Sequence, residues 1–119
     1  MFAESADQVL FDLHCLQKSD AKKIFRESIL SEWQYKCCYC GRDANTIDHV
    51  RAKSKGGSSF RKNLVACCRR CNKSKAAEPV LEWYQRQSFY CQLREQRLIN
   101  WIRFGNLNES SPFVDQKLF

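Results

Sequence analysis

One stretch of this chain, residues 37–75, has the residue types and spacing for metal binding and acid–base chemistry. Cys37 and Cys40 (in CCYC) and Cys68 and Cys71 (in CRRC) form two Cys-x-x-Cys pairs with 27 residues between them. A structural zinc ion takes four tetrahedral nitrogen or sulfur ligands, and two such pairs supply them. Cys38 and Cys67 each adjoin a ligand, so the register matters. Cys38 with Gly41, or Cys67 with Arg70, makes no Cys-x-x-Cys pair, which leaves Cys37, Cys40, Cys68 and Cys71. The span between the pairs is longer than a simple zinc ribbon needs, so it reads as a working insertion. Structural zinc contributes about 10–16 kcal/mol of apparent free energy, comparable to the whole stability of a small domain. Its chelation is expected to unfold the protein.

Asp48-His49 stands inside that insertion. Cleaving a phosphodiester requires an activated water, charge stabilisation at phosphorus and help for the leaving oxygen. One histidine and one divalent metal can cover these tasks. In a regular strand, however, neighbours point to opposite faces. A bulge or a strand end is needed for both residues to line one site. The other histidine, His14, is two residues from Asp12, so the two share no helix face, and it reads as structural.

Charge supports a polyanionic partner. The net charge is +7 and the pI about 9.1. Nine basic residues (Arg51, Lys53, Lys55, Arg61, Lys62, Arg69, Arg70, Lys73, Lys75) lie between Arg51 and Ala77 with no acidic one. A generic charge run would be a solvated face. A run inside a metal-binding stretch, with no carboxylate to pair with, points to nucleic acid.

At 119 residues the chain is read as one domain, 1–119, with a modest core. Residues 1–35 are expected to be helical, in two segments over 5–18 and 20–34. The second would bury Ile24, Phe25, Ile29, Leu30 and Trp33. Residues 36–78 shift to short strands and turns. A strand is expected at 46–50, a loop at 53–59 with Gly56-Gly57 allowing positive φ, a return strand at 64–67, and a short helix that begins near Arg70–Asn72, carries Lys73 and Lys75 and ends before Pro79. Residues 79–105 read as a helical region with Pro79 at its first turn, a break near Gln87-Ser88 and Gly105 as its stop. Val80, Leu81, Tyr84, Leu93, Leu98, Trp101 and Ile102 would form its buried stripe. Residues 106–119 read as a loosely ordered tail. Cys15 and Cys91 are expected to be buried free thiols. The first residues do not look like a signal peptide, and no run approaches the roughly 20 apolar residues of a membrane span. The expected place is the cytoplasm, or a host cell's if the chain is phage-encoded.

IDHVRAKSKGGSSFRKNLVACCRRCNKSK, preceded by CYCG, resembles the HNH endonuclease motif in its four-cysteine zinc subgroup. The resemblance covers about residues 33–79. It implies an α+β fold: a small ββα-metal (HNH) core with a four-cysteine structural zinc site, flanked by N- and C-terminal helices. By that resemblance His49 is the general base, and Asp48 binds a catalytic Mg²⁺ or Mn²⁺. Asn63 pins the hairpin loop and orients His49. Asn72 stands where many members have His, as a metal ligand or a polar group beside the phosphate. Lys75 touches a phosphate, with Arg51, Lys53 and Lys55 as further backbone contacts. Ala52 stands where a proline is frequent. The implied activity is metal-dependent hydrolysis of double-stranded DNA to 3′-hydroxyl and 5′-phosphate ends, a monomer nicking and a homodimer cutting both strands. Free-standing members of this size resemble phage or mobile-element nucleases, including homing enzymes. The alternative is a zinc-stabilised nucleic-acid-binding module without catalysis.

Overall fold

The computed structural model describes residues 18–107. The expected first helix over 5–18, with His14 and Cys15, therefore lies almost wholly outside the described residues, as does the tail beyond Leu107. Helix α1 (Lys18–Glu32) starts with Asp20 in its first turn, where a carboxylate meets the positive end of the helix dipole. It stops where Gln34 and Tyr35 turn left-handed, at φ 57° and 56°, and the Tyr35 amide donates to Leu30 O at 2.8 Å.

Strands β1 (Thr46–His49) and β2 (Leu64–Cys67) form an antiparallel pair in the register Thr46↔Cys67, Ile47↔Ala66, Asp48↔Val65, His49↔Leu64. Every residue of β2 is buried. Helix α1 packs on both strands, but four residues of strand reach only about 13 Å against about 22 Å for a 15-residue helix. That mismatch corrects part of the expected core. Ile29, Leu30 and Trp33 are buried, while Ile24 and Phe25, nearer the helix start, are 60% and 40% exposed.

After β2 come helices α2 (Arg69–Lys75), α3 (Val80–Gln85) and α4 (Gln92–Phe104). Pro79 is the N-cap of α3, one position before the expected first turn. The break between α3 and α4 falls at residues 86–91, spanning the expected Gln87-Ser88. Gly105 ends α4 at φ 78°, its amide donating to Trp101 O at 2.7 Å. Tyr84, Leu98 and Trp101 enter the core, whereas Leu93, expected there, is 70% exposed. Trp101 braces the loop end of the hairpin by donating its indole N–H to Arg61 O (3.0 Å) and Leu64 O (2.8 Å). This architecture is mixed helix and two-stranded sheet, as a small ββα core with flanking helices requires. No helix among the described residues is long and apolar enough to cross a membrane.

Candidate active site and metal centre

The four sulfurs of Cys37, Cys40, Cys68 and Cys71 lie within 4.8 Å of one another. Tetrahedral zinc with bonds of about 2.3 Å spaces its sulfurs about 3.8 Å apart, and the Cys40 and Cys68 sulfurs stand 3.7 Å apart. The donor set and spacing therefore fit such an ion. Local backbone makes the cluster. Gly41, at φ 81°, turns its amide onto Cys37 O at 3.0 Å, and the Tyr39 amide approaches the Cys37 sulfur at 3.4 Å. Cys68 is the N-cap of α2, and its sulfur accepts from the Cys71 amide at 3.4 Å. Hydrogen bonds from Cys67 and Cys71 draw the Cys37 thiol well below its ordinary range, and the bond to Cys37 raises Cys71. Cys38 and Cys67 are buried beside the cluster and outside it. Cys91, expected to be buried, is half-buried at the start of α4, and it is free like the other described cysteines.

The pleat of β1 divides the Asp48-His49 pair. Asp48 points into the protein and is 5% exposed. Its Oδ2 accepts from the Tyr39 phenol at 2.8 Å and from the Lys75 ammonium at 3.1 Å. Lys75 is fully buried, and its Nζ also donates to His49 O at 3.0 Å. Burial pushes the Asp48 carboxyl above its ordinary range, while Lys75 and the Tyr39 hydrogen bond pull it back. Burial pushes the Tyr39 phenol well up too, which keeps it a neutral O–H donor. The other oxygen, Asp48 Oδ1, takes no hydrogen bond from the described residues and is not among their fully buried unpaired atoms. Asn72 sits half-buried in α2 with its side-chain amide unbonded among the described residues. Two oxygen donors of the kind a hard cation takes are thus left over.

His49 is half-buried at the end of β1, on the other side of the strand. Its Nε2 lies 3.2 Å from Ser59 Oγ. The 50–63 connection beside it is held by Asn63. Asn63 Oδ1 accepts from the Arg51 amide at 2.8 Å, and Nδ2 donates to Arg51 O (3.0 Å) and Ser58 O (2.7 Å). The two glycines of the loop differ in purpose. Gly56 is left-handed at φ 86°, while a Cβ on Gly57 would stand 1.8 Å from Arg51 O. Only Gly56 uses the expected positive φ; Gly57 is there because nothing larger fits.

Seven of the nine basic residues, namely Arg51, Lys53, Lys55, Lys62, Arg69, Arg70 and Lys73, are exposed. The other two are corrections. Lys75, expected at a phosphate, is enclosed with Asp48. Arg61 is spent inside the fold, where its guanidinium donates to Glu32 Oε1 (2.7 Å), Ser28 Oγ (2.8 Å) and Gly105 O (2.8 Å) and stacks over Trp101 at 5.0 Å. Tyr39 and Ser59 are the contacts that sequence reasoning missed. The position of Tyr39 between two zinc-spaced cysteines was the only available signal. A groove of about 720 Å³ runs between Val50–Lys55 and Ala77–Val80, lined by neither Asp48 nor His49.

Comparison with known proteins matches residues 37–82 to the HNH endonuclease family. Two similar relatives are both CRISPR-associated endonuclease Cas9. The chain is 30% identical to that of Corynebacterium diphtheriae over 76 residues, 60% of this chain and 7% of the relative. It is 40% identical to that of Actinomyces naeslundii over 55 residues, 42% of this chain and 5% of the relative. The chain thus spans less than a tenth of either relative's length. No solved structure matches.

Proposed function

We propose, from the match of residues 37–82 to the HNH endonuclease family, that the chain is a metal-dependent DNA endonuclease with His49 as its general base. The observation that carries this reading is the open position of His49 at the end of β1, with Ser59 Oγ 3.2 Å from its Nε2. The imidazole is left at an open strand end, while its carbonyl is held by buried Lys75. The Ser59 hydroxyl beside Nε2 marks a place where an oxygen nucleophile sits within hydrogen-bond reach of the ring. His49 takes the proton of the attacking water there. Asn63 fixes the backbone on either side of the loop, and the exposed Arg51, Lys53 and Lys55 bind the phosphate backbone, with Lys62, Arg69, Arg70 and Lys73 extending the cationic surface.

Cys37, Cys40, Cys68 and Cys71 hold a structural zinc ion in this reading. A catalytic Mg²⁺ or Mn²⁺, when bound, supplies charge neutralisation at the scissile phosphate, and Asp48 Oδ1 and Asn72 are the residues that would hold it. The products are 3′-hydroxyl and 5′-phosphate ends, with one strand cut per active site and both strands cut by a homodimer. A phage or mobile-element setting, homing included, and a cytoplasmic location accompany this proposal.

Plasmid incubated with Mg²⁺ or Mn²⁺ tests it. His49→Ala should keep its zinc and fold and cleave about 10²–10⁴ less. Near-normal cleavage by that variant would sink the mechanism. The second reading, a nucleic-acid-binding module without catalysis, is favoured by one observation: Asp48 Oδ2 is already taken by Tyr39 and Lys75. It expects steeply salt-dependent DNA binding and no cleavage by the wild-type protein.

A further inference from the structure

We propose that Tyr39 is a positioning residue that couples the cysteine knuckle and the C-terminal helices to Asp48, so that Oδ1 alone of its two oxygens is presented to a divalent cation. This rests on the reading of Asp48 as a ligand of the catalytic ion. The path is continuous, and it is buried from Tyr84 through Tyr39 to Asp48. The Tyr84 hydroxyl and Arg94 Nε both donate to the Tyr39 carbonyl, each at 2.7 Å. Tyr39 lies between ligands Cys37 and Cys40 and is fully buried, its ring against Trp83 (5.1 Å, edge-on) and Tyr84 (5.6 Å). Its phenol then reaches Asp48 Oδ2, which also receives Lys75. Two donors fix one oxygen, and with that oxygen held the carboxylate cannot turn about its Cβ–Cγ bond. The other oxygen is therefore presented in one orientation, the condition for a preorganised ligand.

The chain of contacts also explains why Tyr and not Phe stands there. A phenyl ring would fill the same aromatic pocket but leave the carboxylate with Lys75 alone. Lys75 also serves the His49 carbonyl, so a shift of its ammonium would disturb both residues of the pair.

The test uses the zinc-loaded full chain and reads Mn²⁺ binding by calorimetry, without DNA, for wild type, Tyr39→Phe and Asp48→Asn. Tyr39→Phe should keep its zinc content and raise the Kd for Mn²⁺ about tenfold, the loss typical of a supporting hydrogen bond to a metal ligand. Asp48→Asn should raise it more. Cleavage by Tyr39→Phe should recover as Mn²⁺ is increased, a rescue that a merely structural role would not give. An unchanged or lower Kd overturns the proposal, as does a wild-type protein that binds no Mn²⁺. If Tyr39→Phe loses zinc, Tyr84→Phe, which removes one donor from the Tyr39 carbonyl, replaces it, with a two- to threefold rise expected and no rise overturning the idea. Mn²⁺ binding with the expected pattern but no DNA cleavage would retire only the nuclease reading.

Discussion

The two faces of β1 invert the usual relation between charge and burial. On one face Asp48 and Lys75 are both enclosed, carry opposite charges and share hydrogen bonds with Tyr39 and with a backbone carbonyl. On the other, His49 meets one hydroxyl and solvent, and the stretch that follows it, 51–77, is rich in cations and holds no carboxylate. A buried ion pair is a poor source of net stability, since desolvation offsets much of the attraction. Its worth is geometric. The enclosed face fixes where the strand lies, and the open face is left free to meet a substrate.

That contrast can be broken at several strengths. The largest effect should come from removing the zinc proposed for the four cysteines. Chelation, followed by circular dichroism, should unfold the chain, because about 10–16 kcal/mol of apparent folding free energy goes with a four-cysteine zinc site; a chelated protein that keeps its spectrum would separate the knuckle from the fold. Next is the enclosed face. Lys75→Met should cost about 3–5 kcal/mol in denaturant unfolding, because Asp48 is left charged and unpaired, and Lys75→Met with Asp48→Leu should regain most of it. Without that recovery the pair is not the source of the loss. Asn63→Ala should cost about 1–3 kcal/mol, the net worth of its hydrogen bonds. His49→Ala should change stability by no more than about 0.5 kcal/mol; a larger change would mean that the open face is also structural. The smallest effect belongs to exposed Asp43, whose carboxyl is held below its ordinary range by the hydrogen bond from Lys36. A depressed carboxyl adds stability above its unfolded pKa and loses it as pH falls through the folded value. The difference in Tm between wild type and Asp43→Asn should therefore vanish on acidification through the carboxylate range.

Much of this was legible before the fold was known. The cysteine register followed from spacing, and the strands from β-branched residues around Asp48 and the LVAC run. The splitting of Asp48 from His49 was already contained in the two-residue period of a strand. What could not be read was where the long cations end. Lysine is almost never fully buried unless paired, so nothing in RRCNKSK marked Lys75 apart from Lys73. Its pairing depends on a helix and a strand that are distant in sequence. Arg61 was hidden in the same way, since its partners Ser28, Glu32 and Gly105 come from both ends of the described chain. The aromatic Tyr39 looked like knuckle filler because its phenol acts only after β1 is placed beside it. Ile24 and Phe25 fit a helical stripe, but the four-residue strands are too short to cover them, and Leu93 stands exposed in the first turn of α4.

Asn63 carries a consequence for how the chain folds. The hairpin must close over residues 50–63 before either strand gains its partner, and a flexible loop of that length costs about 2 kcal/mol or more in closure entropy. One amide at the loop's end reaches back to residues 51 and 58 and cuts the open span into smaller rings. Refolding of Asn63→Ala should accordingly slow by more than its unfolding accelerates, the mark of a contact already made in the transition state.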